Sequence, residues 1–315
     1  MIHRLYRLAA IMLGAALLPT VSGCQQPVDT QHIQDYAKTF AAGSAAFDAV
    51  AQDFAVTCVD IRELTETSVT YLRSAPVAAM TPIPSPNPGS GPTEGPAAQE
   101  SASICATAGL VAQQWKLRNQ ILEAYVHALA AIAGVDTQPT GVDSLASALV
   151  SVQVISSGQT SAFTDLVNSI ISIKLEGDRD AEIRKTVSAA DKALQSATAA
   201  LIGVTNDDYT TLLRDDLVEV DKLYRDHIRQ ELKHKYDRLA ILRERQAWLA
   251  ARVDIQNRET KAAAYASAMQ ELALMHSDLV KADAANASLS DIVNIVNAHV
   301  VPLLKDVTIL TTTGK

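Results

Sequence analysis

The sequence predicts an all-α fold, an elongated multi-helix bundle with long antiparallel helices, and three observations carry that prediction. Alanine is abundant while aromatic residues make up only 4 % of the 315 residues, a bias that favours helices over strands. Apolar residues recur at spacings of three and four through most of the chain, with little strand-like alternation. Between Val204 and Val301 there is neither glycine nor proline, so no strong local breaker interrupts a helix there.

The elements follow in order. Ile33, Phe40, Phe47, Phe54 and Ile61 recur every seven residues, with Val50, Cys58 and Leu64 between them, which predicts a helix from about Thr30 to Leu72 that buries one face. Seven of the eleven prolines fall between Pro76 and Pro96. Proline fixes φ and removes a donor, so a solvated loop over about 75–98 is expected, a connector first and a partner-recognition segment second. A second helix from about Ala97 to Ala133 carries Ile104, Ala108, Val111, Trp115, Leu122, Tyr125, Leu129 and Ile132 on one face, with Gly134 as its stop. These two helices make a hairpin over 31–135.

The remaining bundle, over 140–310, opens with two shorter helices at Leu145 to Ile155 and Phe163 to Leu175. Asp178 suits the N-cap of a helix in which Ile183, Val187, Ala190, Leu194, Ala197 and Leu201 keep the period until Gly203. From Asn206 or Asp207 a helix can run for dozens of residues, with an apolar stripe from Leu213 through Tyr224, Leu232, Leu239 and Leu249 to Val253; fifty residues would reach about 75 Å. Tyr265, Met269, Leu272, Met275 and Leu279 form a further stripe. The last helix opens at Ser288, with Asp291 three residues on as a variant capping box. Its many aliphatic side chains suggest a central core helix. No unit repeats at a fixed period.

The amino terminus carries an address. Arg4 and Arg7 precede an unbroken apolar run from Leu8 to Leu18, which ends at Pro19; this is the pattern of a secretory leader and is too short for a spanning helix of roughly 20 residues. The run leads into Val21-Ser22-Gly23-Cys24, which resembles the lipobox of bacterial lipoprotein precursors over residues 1–24. The resemblance implies a leader of residues 1–23 that is removed, a diacylglyceryl thioether on Cys24, and a lipidated tether over 24–30. Several acyl chains make a stable anchor where one does not. Gln25, in place of an aspartate that favours inner-membrane retention, implies an outer-membrane protein facing the periplasm.

With Cys24 assigned to lipid, Cys58 and Cys105 remain as an even pair in an oxidising compartment, and a disulfide is the expected outcome, two buried thiols being the alternative. Without residues 1–23 the chain has 25 basic and 35 acidic residues, a balance that disfavours nucleic-acid binding.

Two clusters invite chemistry. His227, Glu231 and His234 share a helix face, and Glu231-x-x-His234 matches half of a ferritin-like carboxylate pattern. The second half is missing, and Arg225, Arg229, Lys233 and Lys235 around it would repel a cation, so a solvated face is the plainer reading. The same four residues belong to a stretch, Lys222 to Lys261, with eleven basic and six acidic residues, after a run from Asn206 to Asp221 with six acidic and one basic. Pairs such as Asp221 with Arg225, Glu231 with Lys235 and Asp254 with Arg258 account for the pattern at i,i+4 spacing. Docking on anionic lipid or an acidic partner is the functional alternative.

No nucleophile elbow, phosphate loop, dinucleotide fingerprint or zinc-protease motif is present in the sequence. The expectation is a non-enzymatic, lipid-anchored envelope protein with no cofactor beyond its lipid, acting as a helical structural or interaction module on an envelope protein partner. A membrane-acting helical protein and a helical metal-binding protein are the alternatives.

Overall fold

Seven α-helices account for nearly all of the chain that can be described, residues 31–73, 96–133, 157–173, 179–234 and 238–312 of a computed structural model. They are α1 (Gln31–Arg73), α2 (Pro96–Ile132), α3 (Ser157–Ile171), α4 (Arg179–Gly203), α5 (Thr210–His234), α6 (Arg238–Ala284) and α7 (Leu289–Thr312). No strand occurs among the described residues. The lipobox, the Pro-rich stretch up to Gly95, the Leu145 to Ile155 segment and the Asp178 cap lie outside them, and Pro96, expected in the loop, opens α2.

Most of the periodic faces predicted from sequence contribute to the core. Ile33, Phe40 and Phe47 of α1 are buried, as are Trp115, Leu122, Tyr125 and Leu129 of α2. All six stripe residues of α4 are buried, from Ile183 to Leu201, and one continuous apolar cluster draws on every helix. Within it the aromatic rings meet edge to face: Phe47 lies 5.5 Å from Tyr265, and Trp115 lies 5.3 Å from Tyr265 between ring centroids, an arrangement that matches ring quadrupoles. The Trp115 indole donates to the Tyr265 hydroxyl at 2.6 Å, and that hydroxyl donates to Asn119 Oδ1 at 2.6 Å. Gly43 is required where α1 and α7 approach, because a Cβ there would stand 2.8 Å from both Phe47 Cζ and Val307 Cγ2.

The helices register as antiparallel neighbours. On α1 and α2, Ser44 donates to Glu123 at 2.5 Å, Lys116 lies 3.3 Å from Asp48, and Cys58 is joined to Cys105 with Cα atoms 5.5 Å apart. The expected disulfide is therefore formed, between the second half of α1 and the first turns of α2. On α4 and α6, Arg184 reaches Asp283 at 3.3 Å and the Gln195 amide donates to the Ala273 carbonyl at 3.0 Å. His299 of α7 lies 2.6 Å from Glu271 of α6.

The α-helical period of α4 ends at Gly203, as the sequence suggests, but the backbone does not break there: Gly203 has helical dihedrals, φ −59° and ψ −53°, and leads into a π-helical turn, Val204–Tyr209, that passes directly into α5. The wider turn is satisfied by Thr205 Oγ1 donating to the Leu201 carbonyl at 2.7 Å, and by Thr210 Oγ1 donating to the Thr205 carbonyl at 3.0 Å. The sequence leaves open whether the stretch after Asn206 is one helix or two. It is two, α5 and α6, and they lie antiparallel, with His227 of α5 facing Glu244 of α6 and Asp221 facing Trp248.

The last helix starts as predicted, with Ser288 N donating to Asp291 Oδ2 at 2.8 Å and Asp291 N donating to Ser288 Oγ at 3.3 Å. It is not a central helix. Ile292, Val296, Leu303, Val307 and Leu310 face the core, but Val301 is 72 % and Leu304 50 % exposed, because α7 packs on α1 and α6 with one side only.

The core also holds a titratable group. His276 is fully buried, with Nδ1 2.8 Å from the Tyr125 hydroxyl and Nε2 3.4 Å from Asp191. Burial pushes its imidazole down to about 4, against the opposing charge of Asp191. A folded pKa below the ordinary 6.5 makes stability fall as pH drops from 6.5 towards 4. His276→Asn, which keeps an acceptor for Tyr125, should remove about 3 kcal/mol of that loss in urea titrations at pH 7 and pH 4. Replacing Cys58 and Cys105 together with serine should cost about 4 kcal/mol by the same measurement, the loop-closure contribution of this bridge.

Candidate interaction surface

The α5–α6 hairpin divides sharply along its length. From Ile255 to Ala282 α6 is a core helix, with Tyr265, Met269, Leu272 and Met275 at 0–1 % exposure. From Arg238 to Asp254 it leaves the core. Here the apolar stripe read from the sequence points outward: Leu239 is 60 %, Leu242 57 %, Leu249 45 % and Val253 54 % exposed, and Leu232 of α5 58 %; Val218 of α5 is also 58 % exposed. Fully burying such side chains contributes ~1.5–3 kcal/mol apiece, so this row leaves several kcal/mol unused by the fold.

What holds the hairpin together is polar and aromatic. Asp221 of α5 accepts from Trp248 Nε1 at 2.7 Å, and Arg252 Nη1 bonds both of its oxygens at 3.0 Å. Tyr224 stacks on Trp248 at 4.6 Å between centroids with planes 11° apart, and the Arg252 guanidinium sits 5.0 Å over the same indole, adding a cation–π contact. Asp221 thus pairs across the hairpin, not along α5 with Arg225 as its spacing suggested, because Trp248 and Arg252 present two directed donors. Further out, His227 Nε2 lies 3.8 Å from Glu244.

At the base of the hairpin stands Arg258. Its Nε donates to Asp53 at 2.8 Å, Nη1 donates to Asp216 at 3.2 Å and lies 3.5 Å from Asp254, and Nη2 donates to Thr57. The π-turn aims Tyr209 at the same place, where its hydroxyl donates to Asp53. The Asp254–Arg258 pair expected from sequence is one limb of this larger cluster. Burial disfavours the guanidinium charge, but Asp53 and Asp216 outweigh it and hold the group above its ordinary range. Burial likewise pushes the Asp216 carboxyl up to about 6 despite Arg258. A cleft of about 380 Å³ opens beside the cluster, lined by Asp60, Glu63, Asp216, Val220, Asp254 and Arg258 among others. Sequence reasoning missed this centre; Asp53, Thr57 and Asp216 are polar residues on otherwise apolar faces, and that interruption was the available signal.

The predicted site residues fall as follows. Arg225 and Arg229 are exposed on α5, and Arg229 lies 3.5 Å from Asp226. His227, Glu231 and His234 all belong to α5, but the side chains of Glu231, Lys233 and His234, and the whole of Lys235 and Cys24, lie outside the described residues. Among the described residues no group of three His, Cys, Asp or Glu side chains is placed to hold a metal ion. The chain matches no family model, and neither a curated protein nor a solved structure aligns significantly with it.

Removing one partner of a buried ion pair strands the rest. Arg258→Met should therefore cost about 3–5 kcal/mol in urea unfolding, and adding Asp216→Asn to it should recover part of that loss.

Proposed function

We propose that this chain is a lipid-anchored bacterial envelope protein whose helical body presents the outer face of the α5–α6 hairpin to a protein partner. The observation that carries the reading is the outward apolar row Leu239, Leu242, Leu249 and Val253. Contiguous exposed apolar surface on an otherwise well-packed body marks an interaction site. The row lies far from where α1 begins. Ile33 and Leu279 line one small cavity, and from Leu279 to Arg238 the rise along α6 is about 60 Å.

The anchor is inferred from the resemblance of Val21-Ser22-Gly23-Cys24 to a lipobox, and the Cys58–Cys105 bridge suits the oxidising periplasm that such an anchor implies. Gln25 favours the outer membrane. With a short tether after Cys24, the α1 start would lie near the bilayer and the hairpin tip well away from it.

A second reading is favoured by α7. Leu289–Thr312 is long and apolar enough to cross a membrane by length and composition, though a partly buried soluble helix passes the same test, and Val301 and Leu304 are exposed on it. In this reading the protein acts on the bilayer itself, and leakage of anionic liposomes on adding the purified chain would support it.

Two measurements test the first reading. Cys24→Ser should abolish incorporation of labelled palmitate and shift the protein from the membrane to the soluble fraction. Capture of the wild-type chain from an envelope extract of its own bacterium should return a specific protein, and a clean monomer with none would count against the proposal.

A further inference from the structure

The outward row on α6 is spaced as a coiled-coil seam. Leu239, Leu242, Gln246, Leu249 and Val253 follow one another by three, four, three and four residues, the a and d positions of a heptad written abcdefg. They lie on the side of α6 away from the bundle: the inward residues of the same stretch are those that meet α5, Glu244 against His227 and Trp248 against Asp221, and exposure of the row is 45 % or more at each apolar member. A single polar a position, Gln246, between apolar layers is the kind of residue that fixes register.

The positions flanking the seam decide what it takes. With Leu239 at a, the g positions are Arg238, Arg245 and Arg252, and the e positions are Arg243 and Ala250. Four of five are arginine and none is acidic. Arg243 and Arg245 are exposed, and Arg252 is half committed to Asp221 at 3.0 Å. A second copy of this chain, parallel or antiparallel, would set arginine against arginine along the seam, and like charges at e and g disfavour pairing. A helix with acidic residues at its own e and g positions meets complementary charge on both sides.

We propose that residues 238–256 of α6 are the docking strip for a helix of another protein, with leucine-like residues at a and d and glutamate or aspartate at e and g, forming a short heterotypic coiled coil. The proposal rests on the reading of the chain as an interaction module and names the partner's chemistry. An anionic membrane surface would use the arginines and the apolar row as well, but would not require heptad phase or a helical ligand.

The purified full chain is titrated with two synthetic three-heptad peptides, both with leucine at a and d, one with glutamate and one with lysine at e and g, and with vesicles containing phosphatidylglycerol. The glutamate peptide should bind at least about tenfold more tightly than the lysine peptide, with affinity falling as salt rises. The double variant Arg243→Glu/Arg245→Glu should reverse that preference, and Leu242→Glu/Leu249→Glu should abolish binding of both peptides while the circular dichroism melt stays that of the wild type. Equal binding of the two peptides, binding of neither, or binding of vesicles with no peptide preference would overturn the proposal. A protein captured from an envelope extract that is retained by the Leu242→Glu/Leu249→Glu variant would also overturn it, while leaving the interaction reading of the chain in place.

Discussion

Arg258 ties the α5–α6 hairpin to α1, which lies far from it in the sequence. A largely buried guanidinium is tolerated only when its donors meet acceptors and its charge meets opposite charge. Those acceptors come from α1 through Asp53 and Thr57, from α5 through Asp216, and from its own helix through Asp254. Satisfying one side chain therefore sets the height of α5 and α6 against α1. Tyr209 adds a second hold on Asp53 from the π-turn. Apolar packing below this level is continuous but weakly directional, as hydrophobic contact is, whereas the ionic cluster is directed and joins three helices at one height.

Above that level the same helix changes character without changing conformation. On the inward face of α6, Ile255 is 2 % exposed whereas Trp248, two turns earlier, is only half-buried. On the buried side of the divide α6 is held by the core; on the other it is held by α5, through the Asp221, Trp248, Arg252 and Tyr224 group. A few directed contacts replace many undirected ones, which frees the outer face of α6 from any structural duty. That division of labour makes an exposed aliphatic row compatible with a stable fold.

Much of this was legible in the sequence because helical periodicity reports which residues share a face. The stripes of α1, α2 and α4, the capping box of Ser288 and Asp291, and the pairing of Cys58 with Cys105 are all local patterns or simple counts. Periodicity does not report whether a face has a neighbour, and so Leu239, Leu242, Leu249 and Val253 read the same as Met269 and Leu272. The antiparallel placement of α5 and α6 left no glycine or proline mark; the contacts that hold it, Asp221 with Trp248 and Arg252, join residues far apart in sequence. The π-turn did leave a trace: the buried positions Leu201, Thr205, Tyr209 and Leu213 step by four three times running, where an α-helix averages 3.6. Gly203, read as a stop, obscured it. The Arg258 centre was invisible for a different reason, since its members come from three helices and form no motif.

The π-turn also defines which changes of length the molecule can accept. One residue added to or removed from a helix turns everything beyond it by about 100°, and the extra residue carried in Val204–Tyr209 is what brings Asp216 round to Arg258 after the stripe of α4 has run its course. Insertions or deletions there would swing the azimuth of the whole hairpin about the body. Paired insertions of seven residues in α5 and α6 beyond Asp221 and Trp248 would extend the hairpin and leave its azimuth nearly intact. Homologous chains that vary in reach should then differ by multiples of a heptad in that region and not at all across the wide turn.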